Sequence, residues 1–162
     1  MEKDALRAIY HRTERFTMVV LLLALPAFGA VYLYQQSGSF TQTLPLLPAW
    51  FQYLLLGAGV LVLVAQYLLF HQKIKLSFQQ ASLLEKVDLY ASATRQRFKL
   101  LFLASLLSTA GLLWSGNPGF VFLFTLTLVF FSLGKPSPDR MVRLMKLKKE
   151  DRELLTEISR PA

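Results

Sequence analysis

Cysteine is absent from this 162-residue chain. Disulfides, thiol nucleophiles, Cys-ligated metals and four-helix disulfide-forming oxidoreductases are thereby excluded. Charge is absent from two long stretches, residues 16–72 and 100–134. Buried ionisable residues usually mark proton or ion pathways in membrane proteins. Their absence argues against a carboxylate-driven transporter, a rotary-ring subunit or a drug–proton antiporter. Also missing are a phosphate loop, a nucleophile–base pair and a metal-ligand spacing. The basic blocks contain no groove-reading motif for nucleic acid.

The residues present describe an apolar chain. Hydrophobic side chains make up 54% of it and charged ones only 17%. A soluble domain of this size has too much surface for its volume to hide that apolar content, so lipid is expected to serve as part of the solvent. All the charges fall in three blocks, residues 2–15, 73–99 and 135–160. A helical crossing needs about 20 apolar residues. Four segments qualify: 16–34, 49–70, 98–114 and 119–134, with Lys99 at the very start of the third. Pro26 inside the first removes a backbone donor and predicts a kink. The opening MEKDALRAIYHRTERF is too mixed in charge for a secretory signal, so the first apolar segment is expected to be retained.

The charge distribution orients the segments. The three blocks hold four, six and eight Lys and Arg residues, whereas the loops at 35–48 and 115–118 hold none. The positive-inside rule then puts both termini and loop 71–97 in the cytoplasm. Tyr32, Tyr34, Trp50, Tyr53 and Trp114 fall near the opposite interface, where amphipathic rings settle. The predicted fold is an all-α, polytopic inner-membrane protein of four transmembrane helices arranged as two hairpins. Residues 1–134 form the membrane domain and 135–162 an amphipathic cytoplasmic tail helix.

Local signals refine this frame. Ser115-Gly116-Asn117-Pro118-Gly119 predicts a tight turn between the last two crossings. Ser82 and Glu85 have capping-box spacing, which predicts a helix running from there into the third crossing. Ser137-Pro138-Asp139 predicts the start of the tail helix. One offset relates Arg15 to Arg97, Phe16 to Phe98 and Gly29 to Gly111. It suggests a parallel duplication of a cytoplasmic helix plus hairpin, although leucine matches within apolar sequence cost little.

Candidate functional residues fall into three sets. Gly57, Gly59, Ala104, Ser105, Ser108 and Gly111 are small residues at spacings that let helices approach closely, either within one bundle or between subunits. Gln66 is the most polar group of the second crossing and calls for a partner across a helix interface. Arg140, Arg143, Lys146, Lys148 and Lys149 follow the last crossing closely and suit anionic lipid head groups or a partner protein. His11 and His71 lie at the edges of crossings, with Glu14 near the first. They read as interfacial anchors more readily than as a haem or metal pair. No catalytic set, cofactor or metal is expected. The favoured reading is a non-enzymatic membrane scaffold or accessory subunit with a basic cytoplasmic surface. It would contact membrane lipids and either a protein partner or further copies of itself, with no role for nucleic acid. A homo-oligomeric pore is the alternative, and an interfacial lipid-modifying enzyme comes third.

Overall fold

A computed structural model describes residues 2–38, 45, 48–80 and 82–159. Among them are six helices and no strand: α1 Glu2–Gln36, α2 Ala49–Ser77, α3 Leu83–Ser115, α4 Pro118–Gly134, α5 Pro138–Met145 and α6 Lys149–Ser159. Three or four of these helices are long and apolar enough to cross a membrane, the fourth being α4 taken with α5 across an 84° bend. At 1.5 Å per residue α1 is about 50 Å long, well beyond the ~30 Å of a hydrocarbon core. Its charged first half extends past the apolar part. α1 is a single continuous helix through Pro26.

α3 is the central element. It packs against α1, α2 and α4, while α1 and α2 barely touch one another. The first two long helices are therefore not a packed hairpin, because α3 is wedged against both. The sequence could not signal this, since a linker of about a dozen residues leaves α1 and α2 free to separate. The last two do form the expected tight pair. Gly116, with φ of +61°, ends α3 in the left-handed conformation that glycine adopts at no steric cost. Asn117 then caps α4 by accepting from the Gly119 amide at 2.8 Å. Gln35 at the end of α1 donates to the Leu112 carbonyl of α3 and ties the two parallel helices together at that end.

Two cores result. The first joins Val20, Ala24 and Phe28 of α1 to Leu63 of α2, Leu101 and Ala104 of α3, and Phe120, Leu123 and Phe124 of α4. Phe28 and Phe124 stack with centroids 3.7 Å apart. Around this core large apolar side chains point outward, among them Leu22, Leu33, Tyr53, Leu61 and Phe122, each more than half exposed apart from its neighbours' partial cover. Contiguous apolar surface on this scale marks an interface with lipid or protein.

The second core lies at the charged end. Leu6 and Tyr10 of α1, Phe70 and Ile74 of α2, and Val87 and Tyr90 of α3 enclose Met141 and Met145 of α5 and Leu155 and Ile158 of α6. The tail is two helices rather than the single one predicted. Lys146, with φ of +49°, breaks it. The break lets α6 fold back along α1, which one straight helix could not do while also keeping Met141 and Met145 buried. Ser137 caps α5 as predicted, accepting from the Arg140 amide at 3.4 Å. Ser82 stands at the N-cap of α3 but makes no side-chain capping bond, so the capping box does not close.

Candidate functional site

The small residues of the sequence pattern are used inside the bundle. A Cβ at Gly59 would overlap Leu123, and one at Gly111 would overlap the Phe120 ring. Ala104, Ser105 and Ser108 are buried. The Ser105 and Ser108 hydroxyls donate to the carbonyls of Phe102 and Ala104 on their own helix, at 2.7 and 2.8 Å. They therefore need no partner elsewhere. Gly57 alone of this set faces open space. Gln66 is fully buried, and neither its Oε1 nor its Nε2 has a hydrogen-bond partner. The interhelical partner expected for it is not there.

The five tail cations divide in their placement. Lys146 lies over the Phe78 ring at 5.8 Å, a cation–π contact with the end of α2. Arg143, Lys148 and Lys149 are exposed, Arg143 in the last turn of α5, whereas Arg140 is half-buried. Because α6 packs on α1, with Lys3 reaching Glu157 at 3.2 Å, these cations do not hang from a free tail but sit on a folded platform. His11 pairs with Glu14 on its own helix at 3.5 Å. His71 is exposed, with its Nδ1 2.9 Å from the Tyr67 carbonyl. The two histidines thus satisfy themselves locally on helices that α3 holds apart. No group of three or more His, Asp or Glu residues among those described is placed to hold a metal.

A different constellation emerges where α1, α2 and α3 meet at the charged end. An open cleft of about 650 Å³ is lined by Arg12 and Phe16 of α1, Lys73 of α2, and Ser92, Arg95, Gln96 and Lys99 of α3. The α3 residues stand at i, i+3, i+4 and i+7, the spacing of one helix face. Lys73 Nζ donates to Ser92 Oγ at 3.4 Å. Among the described residues no carboxylate comes within ion-pair distance of any of the four cations. The cleft exists because α1 and α2 do not close over α3. Sequence reasoning missed it for that reason. The four cations are scattered between positions 12 and 99, and only the three-helix arrangement gathers them. The α3 spacing was the one legible signal.

Beside this cleft lies a buried cation. Arg97 is 5% exposed, and its guanidinium sits 4.9 Å from the centre of the Phe70 ring. It abuts Gly134 at the C-terminus of α4, where unpaired carbonyls gather the negative end of the helix dipole. Burial, then the neighbouring Arg140, hold its pKa down at about 10, so it stays cationic at neutral pH. Burial raises the pKa of Tyr90, two turns earlier on α3. Comparison of the chain with known protein families, with curated proteins and with solved structures finds no match.

Proposed function

We propose that this is a multi-pass protein of the cytoplasmic membrane with four crossings, both termini and loop 71–97 being cytoplasmic. It acts without catalysis, as a scaffold or accessory subunit that offers a basic, folded platform to a partner. The observation that carries this reading is the second core. Five helices contribute to it, and it holds the charged ends of α1, α2 and α3 together with α5 and α6. A chain that merely needed anchoring would have no use for a built cytoplasmic end. The pore alternative draws on exposed small-residue faces, and Gly59, Gly111 and Ser108 are occupied within one chain. The lipid-modifying reading draws on His11, His71 and Glu14, of which His11 and Glu14 pair on α1 while His71 contacts the Tyr67 carbonyl of its own helix.

Native mass spectrometry after mild extraction at natural abundance tests the proposal. A stoichiometric heteromer is expected, and it should be lost when 137–162 is deleted. A homo-oligomer alone, with ion flux through liposomes, would overturn the proposal in favour of a pore.

A further inference from the structure

The open face of α3 does not end at its cations. From Lys99 the same face continues four and seven residues on to Leu103 and Leu106, each 45% exposed, on the helix that packs against both α1 and α2. A strip with a four-cation head and an apolar run below it has the polarity of one amphiphile. Like charges gathered without an acid repel one another, so the head calls for an anion from outside the chain. Arg12 and Arg95 supply planar forks that match phosphate oxygens, Lys73 and Lys99 supply point charges, and Ser92 and Gln96 add neutral donors. A soluble phosphate would use only the head of this strip and leave Leu103 and Leu106 exposed.

We propose that this groove holds one molecule of an anionic phospholipid, its phosphate among Arg12, Lys73, Arg95 and Lys99 and an acyl chain along Leu103 and Leu106. The site is distinct from the tail cations, and it rests on the membrane reading above. It assigns the gap between α1 and α2 a purpose: the lipid fills the seam that the protein leaves open.

The test uses delipidated full-length protein in neutral detergent. It is titrated with dioleoylphosphatidylglycerol, dioleoylphosphatidylcholine or glycerol 3-phosphate and read by native mass spectrometry. One phosphatidylglycerol per chain is expected, with neither of the other probes retained. With each cation near a membrane surface contributing as it commonly does, Arg95→Gln weakens binding about fivefold and Arg95→Gln with Lys99→Gln about thirtyfold. Both side chains lie at the surface of the cleft, and unchanged circular dichroism and elution confirm that the variants fold. Lys75→Gln with Lys86→Gln removes the same charge elsewhere on this end and leaves binding intact. Leu106→Gln weakens retention of phosphatidylglycerol, which a phosphate-only pocket would not show. Equal retention of phosphatidylcholine, displacement by glycerol 3-phosphate at equal concentration, or equal weakening in the control double variant would each overturn the proposal. Release of the protein from membranes by alkaline carbonate would defeat the membrane reading separately, before any lipid is added.

Discussion

Gly111 and Gly29 occupy equivalent places in the sequence offset that relates the two halves, yet their surroundings are opposite. A Cβ at Gly29 meets nothing within 4 Å. A Cβ at Gly111 runs into three ring atoms of Phe120, which is itself fully buried three residues after the turn that fixes α4 against α3. The ring is fully shielded from solvent, and the start of its helix is held by the Asn117 cap. Alanine at a helical glycine gains up to about 1 kcal/mol of helix propensity at either site. Overpacking a filled core costs about 1–3 kcal/mol, and only Gly111 incurs it. The difference between Gly111→Ala and Gly29→Ala cancels the propensity term and should be about 1–3 kcal/mol in favour of Gly29→Ala. Reversible unfolding of both variants in a detergent mixture of rising denaturing strength measures it. Phe120→Leu should relieve most of the penalty when combined with Gly111→Ala, and the resulting double-mutant cycle isolates the contact. If Gly111→Ala is as stable as Gly29→Ala, the α3–α4 packing described above is wrong.

Three further perturbations check other parts of the structure. Gln66→Leu should stabilise the protein by about 1–3 kcal/mol in the same unfolding assay, because it replaces a buried amide that has no partner with a side chain that needs none. Leu155→Ala should cost about 2–5 kcal/mol at the α6 contact and show as faster tryptic cleavage near Lys148 and Lys149, since Leu155 is only 3% exposed in the second core. Tyr90 has a folded pKa raised above its ordinary 10.0 by burial, so its contribution to stability is complete below pH 10.0 and is lost as pH rises through the folded value. The stability of the wild type relative to Tyr90→Phe should therefore be flat below pH 10.0 and fall above it.

Composition and charge blocks made much of the architecture legible. The all-α class, the long apolar helices and the turn at 115–118 all follow from local pattern, because apolar run length, charge placement and an Asn-Pro-Gly sequence act on neighbouring residues. The continuous run of α3 from Leu83 past Phe98 was legible for the same reason. What was hidden depends on which helix lies beside which. The central position of α3 is set by tertiary packing, with Gly59 receiving Leu123 and Gly111 receiving Phe120, and no single-sequence signal ranks those pairs. The four-cation cleft inherits that blindness. The break at Lys146 was equally hidden, because a lysine is an unusual residue for the left-handed conformation and nothing in its neighbours announces it. It is explained only once Met145 and Leu155 are seen to share one core. The residues that the sequence offset pairs do not share an environment. Arg15 is exposed, whereas Arg97 is buried.

The absence of cysteine makes the central claim, four crossings with every charged block on one side, directly measurable. Single cysteines placed at Ser37, Gln79 and Thr156 report on the loop after α1, the connection between α2 and α3, and α6, each in an otherwise cysteine-free chain. They are labelled in sealed right-side-out vesicles with a membrane-impermeant maleimide, and again after permeabilisation. The account predicts that Ser37→Cys labels at once and that Gln79→Cys and Thr156→Cys label only after permeabilisation. Immediate labelling of Gln79→Cys alongside Ser37→Cys would contradict it.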